Sequence, residues 1–137
     1  MLGLLAQGTY SGCAVFPLRW CLAALPDQSA VAATLGKLYA AMEPGGRIVI
    51  IGPNFKYCVL ECFDCADHTV ILSQVAVAVH LCAAGFDVTA VSARFLPYSF
   101  RGVLAPSPVL TGTYLRTPVL WRLLGKQFLV LGRRPLQ

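Results

Sequence analysis

The sequence predicts an α/β fold in which helices cover a sheet, and three observations predict it. Apolar residues recur at helical spacing over residues 28–42, apolar runs of strand length stand at 47–51 and 127–131, and Gly and Pro mark the boundaries between them. The resulting order is helix, strand, helix, strand, a long excursion and a last strand, as expected of a sheet with helices on its faces.

Each element has a local cause. Asp27 precedes the first helix, where its carboxylate can accept the free amide hydrogens of the first turn, and Val31, Leu35, Leu38 and Met42 form one apolar face. Pro44, Gly45 and Gly46 end that helix. Residues 47–51, Arg-Ile-Val-Ile-Ile, read as a strand covered on both faces, terminated by Gly52, Pro53 and Asn54. A loop from 54 to 68 then leads to Thr69, the expected cap of a helix over 70–84 that Gly85 closes in a left-handed conformation. Residues 87–94 alternate as a strand, and 95–126 form a Pro- and Arg-containing excursion with a short helix at 118–124. Because no full-length crossover helix precedes 127–131, this last strand is expected to run antiparallel, at one edge of a mixed sheet. Residues 1–24 show neither period, and the expected division is a poorly patterned segment, 1–24, followed by one unit, 25–137.

Composition narrows the function classes. A chain of 137 residues with 57% apolar residues and a mean hydropathy of +0.67 is neither disordered nor fibrous, and its length suits a single core. Residues 1–93 carry four basic and six acidic side chains, net −2, whereas 94–137 carry seven basic and no acidic ones, net +7. Those seven cations are scattered among aliphatic and aromatic residues, which excludes a polar nucleic-acid arm and leaves a surface for phosphate, an anionic substrate or a lipid headgroup layer, or equally a merely solvated face. The start of the chain has no basic n-region, Gln7 and Gly8 interrupt its apolar run, and Tyr10-Ser-Gly-Cys13 only faintly suggests a lipoprotein cleavage box. The six cysteines are therefore expected to be reduced in a cytoplasmic chain. Residues 70–86, interrupted by Ser73, Gln74 and His80, read as a buried helix and not a membrane span.

Two clusters carry chemistry. Cys58, Cys62 and Cys65 stand at C-x3-C-x2-C spacing, that of iron–sulfur radical enzymes, and adding His68 would complete a four-ligand zinc set. The chain is too short for the barrel that houses such clusters, and zinc sites usually pair two separated ligand knuckles. The three thiols are read as small apolar side chains, with no metal expected. Asp67 and His68 lie in a loop beyond the carboxyl end of a strand, where α/β folds bind ligands, and a carboxylate beside an imidazole can orient or deprotonate an acceptor; equally, Asp67 can cap the following helix and leave His68 a surface residue. His80, midway along an apolar helix, reads as a hydrogen-bonded packing residue. No G-x-S-x-G, G-x-G-x-x-G or Walker spacing occurs.

Read together, several motifs carry a resemblance: Leu25-Pro-Asp27, Met42-Glu-Pro-Gly-Gly-Arg-Ile-Val-Ile-Ile-Gly-Pro-Asn54, Asp67-His-Thr69, Ala84-Gly-Phe86, Arg94-Phe-Leu-Pro-Tyr98, Tyr114-Leu-Arg-Thr-Pro118 and Gly125-Lys-Gln127. In this order they resemble the C-terminal half of a class I S-adenosylmethionine-dependent methyltransferase, over residues 25–135. The resemblance implies a partial Rossmann-like methyltransferase sheet containing strands five to seven, the last antiparallel. It also implies methyl transfer in the intact family, with S-adenosylmethionine as cofactor and a small or lipid-like molecule as acceptor. The glycine-rich loop and acidic residue that hold the cofactor belong to the other half of such a domain. Residues 19–25 replace its acid- and histidine-bearing segment, so this chain is expected to be a truncated form that binds the cofactor weakly or not at all. On the acceptor side the motifs imply His68 and Asp67 as catalytic residues and Asn54 and Tyr98 as substrate-binding residues. Uncovered sheet and helix faces are expected to cause self-association. The alternative is a non-enzymatic interaction or membrane-surface module, in peripheral contact through the basic segment 94–134.

Overall fold

A computed structural model describes residues 22–64, 68–98 and 108–136, excluding the side chains of Phe63 and Pro108. Eight elements follow in chain order: α1 (Gln28–Ala41), β1 (Arg47–Pro53), α2 (Val59–Phe63), α3 (Gln74–Ala83), β2 (Asp87–Ser92), α4 (Pro108–Arg116), α5 (Pro118–Leu124) and β3 (Gln127–Arg133). The fold is mixed α/β.

The first helix begins where its capping chemistry places it. Asp27 Oδ1 accepts from the Ala30 amide at 2.8 Å and from the Ser29 hydroxyl at 2.6 Å. These donors, the Ser29 hydroxyl foremost, hold the Asp27 carboxyl below the usual carboxylate range. Val31, Leu35 and Leu38 are buried along one face. At the other end the Arg134 guanidinium donates to the carbonyls of Tyr39 (2.8 Å) and Met42 and lies 4.6 Å above the Tyr39 ring. A cation there satisfies carbonyls that have no partner within the helix. Gly45, at φ +82°, then turns the chain into β1, its amide donating to Arg134 O.

The sheet order is β1-β3-β2, with β3 antiparallel to both neighbours. The antiparallel direction matches the expectation, but the position does not: β3 is the central strand, not an edge. The stretch preceding it, α4 and α5, returns the chain so that β3 inserts between β1 and β2, which run parallel to each other. Every residue of β1 from Arg47 to Pro53 has a partner in β3. A bulge between Val88 and Ala90 shifts the β2 register, so Val88 faces Gly132 while Ala90 faces Leu131.

One face of the sheet makes the core. Ile48, Ile50, Phe128 and Val130 are buried there against Val31 and Leu35 of α1 and Val77 and Leu81 of α3. Phe128 stands opposite Gly52, and a Cβ on Gly52 would come within 2.9 Å of its ring, so this pairing needs a glycine. On the opposite face Val49, Ile51, Leu129 and Leu131 are only half-buried. Coverage of β1 on both faces is therefore not met among the described residues, although the apolar run is continuous.

Three local expectations shift. The third helix starts at Gln74, because Ser73, not Thr69, caps it by accepting from the Ala76 amide at 3.3 Å. Thr69 is spent elsewhere: its amide donates to Ala23 O at 2.9 Å and its hydroxyl to Leu25 O. The 54–68 loop contains the five-residue α2, and the long excursion contains α4. Gly85 does close α3, at φ +98°, and His80 Nε2 pairs with Gln28 Oε1 at 2.8 Å, as a packing histidine should. Leu22 and Ala23 are also buried, Leu22 within the core cluster, while residues 1–21, with the Tyr10–Cys13 box, lie outside the described residues.

Phe128→Ala is expected to lower the unfolding free energy by about 4 kcal/mol in urea denaturation, the usual cost of an unfilled aromatic site. Leu123→Ala, at a side chain 70% exposed, should change it by less than about 0.5 kcal/mol.

Candidate functional site

Beyond the end of β1 the chain gathers Asn54, the α2 segment, His68, residues 93–98 and the lead into β3. Asn54 is the centre of this cluster and is fully buried. Its amide donates to Lys126 O at 2.9 Å, and its carbonyl accepts from the amides of Tyr57 (2.8 Å) and Cys58 (3.1 Å) and from the Cys58 thiol (3.0 Å). The side chain is equally committed: Nδ2 donates to Gln74 Oε1 at 2.7 Å and to Ala93 O at 2.8 Å, while Oδ1 accepts from the Lys56 amide at 3.3 Å. One carboxamide thus joins the end of β1, the head of α3 and the segment following β2. Both hydrogens of Nδ2 are used within the fold.

Tyr98 lies across this region from α2. Its hydroxyl donates to Glu61 O at 3.1 Å, and its carbonyl accepts from Nε2 of the buried Gln127 at 3.2 Å. Glu61 pairs with Lys126, and that hydrogen-bonded ammonium holds its carboxyl below the usual glutamate range. His68 is half-buried, with both ring nitrogens shielded from solvent, in the wall of a recess that also includes Pro53, Phe55, Cys62 and Leu72. Asp67 lies outside the described residues, as does Cys65. The recess measures about 40 Å³. That is room for a few water-sized molecules, against the several hundred cubic ångströms of a cofactor site.

The cysteines separate chemically. Cys58 is fully buried and caps α2 by position, and its sulfur lies 3.2 Å from that of Cys62. Burial first, and the contact with Cys62 second, push the Cys58 thiol far above its ordinary value. Among the described residues no group of three or more His, Cys, Asp or Glu side chains is placed to hold a metal ion.

The loop at 93–98 is fastened by aromatic and cationic contacts. Phe95 meets Trp121 edge-on at 5.0 Å, and Tyr114 donates to Phe95 O at 2.6 Å. The Arg94 guanidinium sits 4.1 Å above the Tyr57 ring and donates to Arg122 O. Arg94, Lys126 and Arg134, three of the seven C-terminal cations, are thus engaged within the fold, Lys126 with a carboxylate and the two arginines with neutral carbonyls and rings. Sequence reasoning overlooks Glu61, and it meets Gln74 only as an interruption of an apolar run and Gln127 only as the first residue of a strand and the end of the Gly125-Lys-Gln127 motif, with no role given to either.

No family model matches this chain, and no curated protein does. Solved structures do: a SAM-dependent methyltransferase from Archaeoglobus fulgidus is similar at 19% identity and a TM-score of 0.59, over 88% of this chain and 57% of that one. A possible exported protein from Bordetella parapertussis is similar at 14% identity and a TM-score of 0.53, over 96% of this chain and 42% of that one. The likeness is one of fold, and this chain spans about half the length of these neighbours. No helix among the described residues is long and apolar enough to cross a membrane.

The Glu61–Lys126 pair has a definite pH signature. Because the folded state depresses the Glu61 carboxyl, the pair contributes above the ordinary glutamate range and the contribution is lost as pH falls through and below it. Glu61→Gln should therefore destabilise the chain by about 0.5 kcal/mol at neutral pH and by nothing measurable near pH 3, compared by urea unfolding at the two conditions.

Proposed function

We propose that this chain carries the C-terminal half of a class I S-adenosylmethionine-dependent methyltransferase domain, with β1, β2 and β3 in the places of the fifth, sixth and seventh strands. The observation that supports it most is the fold likeness to the Archaeoglobus methyltransferase over most of this chain and little more than half of that one. The ordered motifs, and an antiparallel last strand between two strands that run parallel, support the same reading.

The described residues around His68 do not fit the cofactor. The sequence has no glycine-rich phosphate-type loop, and the recess beside His68 is far too small for an adenosyl group. No step is therefore assigned to the cofactor on this chain, whose contribution is the acceptor wall. His68 and Asp67 are proposed to orient or deprotonate the acceptor, with Tyr98 lining the acceptor approach. Asn54 is a positioning residue in this scheme: its side chain is spent on Gln74, Ala93 and Lys56 and fixes the loop that the other groups surround. The proposed acceptor is small or lipid-like.

Calorimetric titration of the chain with S-adenosylmethionine tests this division of labour. The expected result is no saturable heat. A micromolar dissociation constant would overturn the proposal that the cofactor is held by elements other than these.

A further inference from the structure

The C-x3-C part of the cysteine motif has no use in the methyl-transfer reading, and the fold nevertheless brings it together. The two sulfurs are 3.2 Å apart, inside ordinary van der Waals contact, and they differ in access: Cys58 is fully buried, whereas Cys62 is half-buried and forms part of the wall of the recess at His68. We infer that Cys58 and Cys62 are an oxidisable pair, a modification site that a small peroxide converts reversibly to an intramolecular disulfide. This inference stands on the loop geometry and does not depend on the methyltransferase reading.

The geometry favours closure for two reasons. Residues one helical turn apart have Cβ atoms about 5–6 Å from each other, and a disulfide needs about 3.5–4.5 Å, so a regular helix would resist. Cys58 is not in a regular helix. It is the N-cap, at φ −136° and ψ 34°, of a helix only five residues long, so the closing movement falls on a residue already outside helical geometry. The recess of about 40 Å³ is also of a size to admit a peroxide molecule to the Cys62 sulfur.

The difference in access sets the order of events. Cys58 donates its proton to Asn54 O at 3.0 Å and burial keeps it a thiol, so Cys62 reacts first. The Cys62 sulfur, as thiolate, attacks hydrogen peroxide: an S–O bond forms, the O–O bond breaks, and the departing hydroxide leaves as water with the proton that Cys62 gave up. The Cys58 sulfur then attacks the Cys62 sulfenic acid; the S–S bond forms, the S–O bond breaks, and the second hydroxide leaves as water with the Cys58 proton. Two thiols are oxidised and one peroxide is reduced to two waters. Closure removes one of the three hydrogen bonds that the Asn54 carbonyl accepts.

The test is to treat the full chain with hydrogen peroxide, alkylate the remaining thiols and sequence the peptides by tandem mass spectrometry. The expected product is a Cys58–Cys62 cross-link, about 2 Da lighter than the two free thiols and reversed by dithiothreitol, with the exposed Cys82 outside it. In Cys58→Ser, whose hydroxyl can still donate to Asn54 O, the cross-link should disappear and Cys62 should accumulate as sulfinic acid, about 32 Da heavier. The inference is overturned if Cys58 in the unsubstituted chain stays fully alkylatable while Cys62 over-oxidises, or if Cys62 bonds to a different cysteine.

Discussion

The buried carboxamide of Asn54 is the constraint on which the rest of this structure depends. Strand β1 must stop where Gly52 and Pro53 stop it, and the chain must then turn over the sheet without leaving backbone groups unsatisfied. Asn54 resolves both demands at once, because its backbone closes the turn and reaches Lys126 while its side chain reaches Gln74 and Ala93. A buried amide left half-satisfied would cost about 1–3 kcal/mol for each missing partner. Here every donor is placed, and the ends of β1 and β2, the head of α3 and the lead into β3 become one piece.

That piece also explains how Tyr98, Glu61 and Lys126 come to share one region. Tyr98 reaches α2 through Glu61 O and β3 through Gln127, and Lys126 reaches α2 through Glu61. The excess of positive charge toward the C-terminus serves the same purpose in part. Arg134 caps α1, Arg94 stacks on Tyr57 and Lys126 pairs with Glu61, so these cations hold loops and helix ends in place.

Local signals were legible in the sequence, and competitions between them were not. The Asp27 cap, the apolar face of α1, the left-handed Gly85 and the strand at 47–51 each follow from a few neighbouring residues, and the structure places them within a residue or two. The cap of α3 was misread because Thr69 and Ser73 are both competent hydroxyls, and only the distant carbonyls of Ala23 and Leu25 decide between them. Helix α4 was hidden by Thr111, Gly112 and Thr113, poor helix formers that interrupt its apolar spacing. The central place of β3 is a matter of strand order, which periodicity does not encode. Within the candidate site, the Gly-Pro-Asn step drew attention to Asn54, but full burial and an internally spent side chain are properties of the packed chain.

Native-state hydrogen exchange at the amides of Asn54, Phe95 and Gln127 tests the central claim most directly, since these three bond to Lys126 O, Gln127 O and Leu96 O around the Asn54 carboxamide. If one buried amide ties the strand ends together, the three exchange through a single opening with one common free energy, as strong as that of the neighbouring core strands. Phe95 and Gln127 exchanging more than about tenfold faster than Asn54 would contradict it, because the 93–98 loop would then open while β1 and its turn stayed closed.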